Sequence, residues 1–125
     1  MCGLGLLWKI DAANAKAALS LRDEFLETIG RHAGWRVDVD AAWIVFTEIL
    51  TNVLRHGQSP VSVWLDCTGA VRLHVLESGP GFNNVPAAPK PDDKGGRGLF
   101  LASKMSAGLE IKGEPRGTLI VATLL

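Results

Sequence analysis

Residues 38–57 read Asp-Val-Asp-Ala-Ala-Trp-Ile-Val-Phe-Thr-Glu-Ile-Leu-Thr-Asn-Val-Leu-Arg-His-Gly. Ala42, Val45, Phe46, Ile49, Leu50 and Val53 recur at three- and four-residue steps, which predicts an amphipathic helix with those side chains on its buried face. Asp38 or Asp40 can cap its start, because a short carboxylate accepts hydrogen bonds from the free N–H groups of a first turn. Gly57 ends it. At the border of the apolar stripe Glu48 and Asn52 stand four residues apart and so share one side of the helix, with Arg55 and His56 a turn further on. A carboxylate placed there can accept a proton or orient a water, and an amide oxygen is a neutral ligand suited to a hard cation such as magnesium. Taken alone, the pair is also what a solvated helix edge looks like.

Upstream, Leu4 to Ile10 predicts a strand and Ala15 to Ile29 a helix, with Asp11 to Asn14 available to cap it and Gly30 to stop it. Ala15, Ala18, Leu19, Leu26 and Ile29 form its stripe, and Arg22 falls on the same stripe. Downstream the period changes to two. Val61, Val63, Leu65 and Cys67 alternate, Thr68-Gly69-Ala70 turns, and Val71, Leu73 and Val75 follow as the second arm of a hairpin. Residues 78–96 carry four of the six prolines among Gly, Asn and Asp and read as a loop. A short helix is predicted from Leu99 to Met105, then two strands, Leu109 to Lys112 and Thr118 to Leu124, joined across residues 113–117. This order predicts an α+β protein, a two-layer α/β sandwich with helices on one face of a mixed, mostly antiparallel sheet. With no internal repeat or linker, residues 1–125 are expected to form one domain.

Composition narrows the function classes. Thirteen basic and thirteen acidic residues cancel, so no domain-wide positive field is available to hold nucleic acid. Cys2 and Cys67 are too far apart for a CxxC pair, and neither a zinc site nor a disulfide framework is expected. The apolar opening of residues 1–7 is short and lacks a basic start, unlike a signal peptide. No stretch reaches the roughly 20 apolar residues needed to span a bilayer. The expectation is a cytoplasmic protein.

Two glycine motifs complete the chemistry. Glu77-Ser78-Gly79-Pro80-Gly81-Phe82 follows a strand directly, so its glycines let the backbone approach a flat ligand, and a carboxylate at the strand end can accept a hydrogen bond from an amino group such as that of adenine. Gly95-Gly96-Arg97-Gly98 precedes the short helix, where free N–H groups and the helix dipole favour an anion and Arg97 can add a charge-assisted bond. Either motif alone is also a plain turn. In this order, behind Glu48 and Asn52, they supply a base with a metal ligand, a purine acceptor and a phosphate cradle.

Glu48 to Gly57, Glu77 to Phe82, Gly96-Arg97-Gly98-Leu99 and Gly117-Thr118 resemble the N, G1, G2 and G3 boxes of the GHKL (histidine-kinase-like) ATPases, whose ATP-binding domain has the Bergerat fold. The short length, the GPGF turn and the brief lid resemble the anti-sigma-factor serine/threonine kinase branch, and the likeness runs from Asp40 to the end. The resemblance implies ATP and Mg2+ as cofactors, Glu48 as general base and Asn52 as the magnesium ligand. It further implies Gly79 and Gly81 shaping the adenine pocket, Gly96 and Gly98 cradling phosphate, Thr118 near the adenine and residues 83–94 as an ATP lid. Arg55, Glu77, Phe82, Arg97 and Leu99 are expected with them around the nucleotide, and Arg22 at a dimer and partner surface. His56 and His74 are given no role. The implied function is transfer of the ATP γ-phosphoryl to a serine or threonine of an antagonist protein in a partner-switching pathway, by a homodimer whose partners are a sigma factor or a STAS-type antagonist, with no nucleic acid and no membrane. The alternative is a non-catalytic nucleotide-binding module that sequesters its partner. A histidine-kinase catalytic domain fits less well, because no dimerisation helix with a phosphoacceptor histidine precedes Leu4. One departure stands out: Glu77 occupies the position where the family usually has Asp.

Overall fold

The computed structural model describes residues 6–10, 15–32, 37–56, 61–66, 69–77, 97–114 and 117–125, with side chains for most of them. Eight elements follow in order: β1 (Leu6–Ile10), α1 (Ala15–His32), α2 (Val39–His56), β2 (Val61–Asp66), β3 (Arg72–Glu77), α3 (Arg97–Lys104), β4 (Ser106–Glu114) and β5 (Gly117–Leu124). The strands form one five-stranded sheet in the order β1-β2-β3-β5-β4. Every described pairing is antiparallel. This is the α+β arrangement expected, with helices layered on a sheet.

The two-residue period of the strands decides which face meets the helices. Val61, Val63 and Leu65 of β2, Leu73 and Val75 of β3, and Ile120, Ala122 and Leu124 of β5 are all buried. They form one core with Leu21, Phe25 and Ile29 of α1, Val45, Phe46, Ile49 and Val53 of α2, and Leu99 and Ala102 of α3. The rings of Phe25 and Phe46 stack at 4.1 Å between centroids and join α1 to α2 at the centre of this layer.

Asp38, not Asp40, caps α2: its Oδ1 accepts from the Ala41 N–H at 3.1 Å and its carbonyl from the Ala42 N–H at 2.9 Å. Asp40 lies within the first turn, where a negative charge still opposes the helix dipole favourably. The Asp38 N–H donates to the Leu125 carbonyl at 2.7 Å, which ties the start of α2 to the end of β5.

Several boundaries differ from the sequence expectation. α1 runs through Gly30 to His32, since an exposed glycine only lowers helix stability by about 1 kcal/mol and Arg31 forms an ion pair with Glu27 one turn back. Leu26 is not on the buried stripe but exposed at 37%. The buried residues Leu21, Phe25 and Ile29 are each four apart, and Leu26 falls one position off that line. β4 is longer than Leu109–Lys112, with a register irregularity between Ser106 and Gly108. α3 begins at Arg97 and not at Leu99. Leu4 and Cys67 lie outside the described residues, as do the side chains of Ala15, Ala18 and Leu19.

Candidate functional site

The path of α2 places its polar border at one end of the sheet. It starts beside Leu125 and its last residue is joined through residues 57–60 to Val61, a connection that spans at most about 18 Å. Val61 lies at the opposite end of the sheet from Leu125, in one row with its partner Glu77, with Thr118 opposite Glu77 and with Gly113 opposite Thr118. Eighteen helical residues at about 1.5 Å each match eight strand residues at about 3.4 Å each, so α2 spans the length of β5. Glu48 and Asn52, in its second half, therefore approach the Glu77 and Thr118 end.

Glu77 and Thr118 are cross-strand partners at the ends of β3 and β5, and both are buried, at 0% and 1% exposure. Their positions share the helix-facing side of the sheet with Val75 and Ile120, each two residues along its strand. Polar groups this deep require partners, and both take part in bonding.

Asn52 is buried at 8% exposure, and its Oδ1 has no hydrogen-bond partner among the described residues. An amide oxygen without a partner costs about 1–3 kcal/mol. Glu48, one turn earlier, is half-buried. A buried amide oxygen left without a partner is a ligand of the kind a hard cation takes when it keeps most of its shell as water and phosphate oxygens. Among the described residues no group of three or more His, Cys, Asp or Glu forms a cage of its own.

α3 packs beside α2 and ends next to Ser106, which pairs with Leu124 at the far end of the sheet. Its other end carries Arg97, Gly98 and Leu99, whose first-turn N–H groups have no acceptor within the helix. Leu99 itself is buried in the core, at 3% exposure, and anchors that turn.

The remaining expected site residues divide as follows. Gly79, Gly81, Phe82, Gly96 and the lid at 83–94 lie outside the described residues, as do the side chains of Arg55 and Arg97 and the surroundings of Gly98. Arg22 is half-buried on α1, with its guanidinium 5.4 Å from the Trp43 ring centroid on α2. Its Nε is buried without a partner among the described residues, and so is Oγ1 of Thr47, one turn beyond Trp43. Sequence reasoning did not single out Thr47; its only signal is a hydroxyl among apolar neighbours, which is weak. The row that joins Glu77 to Thr118 was likewise not readable, because it depends on β5 pairing with β3.

Helices over an antiparallel sheet, with a polar helix border set against buried polar strand ends, define a two-layer α/β sandwich. The family model for the histidine kinase-like ATPase domain matches residues 11–124, and the chain belongs to that family. Among solved structures it is similar to the RsbU and RsbW domains of Rv1364c from Mycobacterium tuberculosis, with a TM-score of 0.64 and 20% sequence identity over 94% of this chain. The matched region is 32% of that structure's chain, so the protein described here spans about a third of it. At that identity the likeness establishes the fold. A comparison with curated proteins gives no match. No described helix is long and apolar enough to cross a membrane.

Proposed function

We propose that this chain is an ATP-binding serine/threonine protein kinase of the anti-sigma-factor type, acting as one cytoplasmic nucleotide-binding unit over residues 1–125. The observation that carries this reading is Asn52, a buried amide whose Oδ1 has no partner among the described residues, one turn from half-buried Glu48 on the helix that crosses to the Glu77 and Thr118 end of the sheet. Family membership supports the nucleotide, and the RsbW domain named in the structural neighbour supports the choice of branch.

In this reading Asn52 Oδ1 holds magnesium and Glu48 accepts the proton of the attacking hydroxyl. When bound, the ion supplies positive charge against the phosphate oxygens. Glu77 accepts from the adenine amino group, and Thr118, its strand partner, reads the same edge of the base. Gly79, Gly81 and Phe82 wall the base, while Gly96, Arg97, Gly98 and Leu99 present the first turn of α3 to phosphate, with Arg55 at the rim. Phosphoryl transfer asks little more of a protein than positioning and charge stabilisation. The acceptor is a serine or threonine of a STAS-type antagonist, and the sequestered partner is a sigma factor, met in part through Arg22.

Calorimetric titration with Mg-ATP tests the shared premise: the wild type binds and Asn52→Ala does not. Incubation with labelled ATP and candidate antagonists tests the transfer step, which Glu48→Ala abolishes if the reading holds. Glu77 favours a second reading. Its extra methylene moves the carboxylate by about 1.5 Å relative to Asp, and a nucleotide held in a shifted pose suits a module that binds its partner without phosphorylating it. A stable partner complex with ATP bound and no transfer would select that reading.

A further inference from the structure

The apolar stripe of α2 has a border on each flank. Glu48 and Asn52 mark one, and half-buried Trp43 and Thr47, a turn apart, mark the other. At about 100° per residue Trp43 and Asn52 lie about half a turn from each other, so Trp43 belongs to the α1 flank and not to the nucleotide end. On that flank the Arg22 guanidinium lies over the Trp43 ring, 5.4 Å from its centroid.

Three features set this arginine apart. Its Nε is buried with no partner among the described residues, which leaves the Nη groups as its outward donors. The ion pairs among the described residues join Arg31 to Glu27 and Lys112 to Glu110, and no carboxylate among them meets Arg22. Its α1 neighbours Asp23 and Glu24 are exposed. Finally, the contact is braced. Phe25, about a turn on from Arg22, stacks on Phe46, about a turn on from Trp43, so the ring stack and the cation–ring contact are two rungs between the same helices.

We propose that Trp43 is a positioning residue, holding the Arg22 guanidinium ready for an anionic group of the partner protein. This rests on the reading above in which Arg22 meets the partner, and adds the residue that places it. A long side chain loses rotamer freedom when a partner is bound, and a ring that already confines it reduces that loss. The ring does so without cancelling the charge. A carboxylate in the place of Trp43 would hold Arg22 as firmly but compete with the incoming group, whereas the face of an indole attracts the cation and leaves its N–H edge to donate. A planar, weakly hydrated guanidinium suits such a seat better than an ammonium group.

Two measurements test the proposal. In the wild type alone, NMR of the arginine Nε–H groups reads whether Arg22 is held. Its proton is expected to exchange with solvent at least about tenfold more slowly than that of Arg31, whose side chain is 66% exposed. Equal exchange at the two arginines overturns the proposal before any partner is known. The second measurement is steady-state phosphoryl transfer to the antagonist that accepts label from ATP or, for a partner that is only sequestered, the dissociation constant of the complex. Trp43→Leu is expected to raise the KM for the antagonist, or that dissociation constant, about tenfold, with kcat and the KM for ATP unchanged. Trp43→Phe keeps a ring and is expected to recover most of the loss. In an Arg22→Ala background Trp43→Leu is expected to add nothing, because both changes remove one contact. If Trp43→Leu does not fold, as judged by circular dichroism, the exchange measurement on the wild type decides. Should Arg22→Ala weaken partner binding while Trp43→Leu does not, or should the two losses add in full, the proposal falls and the reading of Arg22 stands. Should Arg22→Ala leave partner binding unchanged, that reading falls and takes the proposal with it.

Discussion

Replacing Asn52 by leucine separates the cost of the site from its use. Asn52 Oδ1 is a buried acceptor with no donor among the described residues. Leucine has a similar shape and no polar atom, so Asn52→Leu removes a penalty of about 1–3 kcal/mol. For 125 residues the unfolding entropy is about 0.26 kcal/mol/K, so each kcal/mol is worth about 4 °C and the variant should melt about 4–11 °C above the wild type without ligand. With Mg-ATP the difference between the two proteins moves by about 10 °C in favour of the wild type. Ligand at a hundred times its dissociation constant adds about 2.7 kcal/mol, or about 10 °C, to the wild type and nothing to the variant. Differential scanning fluorimetry of both proteins, with and without Mg-ATP and with EDTA controls, reads all four values. If Asn52→Leu melts below the wild type without ligand, Oδ1 has a partner in solution. If it keeps the full nucleotide shift, Asn52 does not hold the metal. Either result refutes the reasoning at a different step.

Asp38→Ala removes the side-chain cap of α2 and should cost about 1 kcal/mol, read as a drop of about 4 °C in the melting temperature. Phe46→Ala removes half of the Phe25 stack at full burial and should cost about 3–5 kcal/mol in urea denaturation. His74 gives a pH dependence whose sign follows from burial lowering its pKa below 6.5. Below 6.5 the unfolded chain binds more protons than the folded one, so this contribution is fully present above 6.5 and is lost as pH falls toward the lower folded value. Urea midpoints at about pH 7.5 and about pH 5.5 should differ less in His74→Gln than in the wild type.

Local patterns carried most of the fold. The alternation from Val61 to Val75 set the buried face of β2 and β3, and the stripe from Ala42 to Val53 set that of α2, because burial repeats with the period of the element. What depended on non-local pairing was not legible. Nothing in residues 106–124 states that β5 lies inside the sheet against β3 with β4 at the edge, yet that order sets Thr118 opposite Glu77. Arg22 shows the same limit. Its place on the stripe was visible, whereas the Trp43 ring that receives its guanidinium lies on another helix, 21 residues away by subtraction of their numbers.

The two faces of the sheet make opposite use of neighbouring residues. Along β3, Leu73, Val75 and Glu77 enter the helix layer while Arg72, His74 and Leu76 remain on the other side. Adjacent residues thus serve the helix-side core and the opposite face of the sheet. The strand period forbids a side chain from serving two of these at once. A one-residue slip of β3 would bury His74 against the helices and turn Glu77 out of the row it shares with Thr118. The alternate burial of this six-residue strand therefore fixes both faces together. Leu119→Glu and Thr118→Val, neighbours on β5 that face opposite sides of the sheet, should consequently separate: the first keeps Mg-ATP affinity and the second loses it, as read by calorimetric titration. Loss of Mg-ATP affinity in a folded Leu119→Glu would show that the faces are coupled through the strand itself.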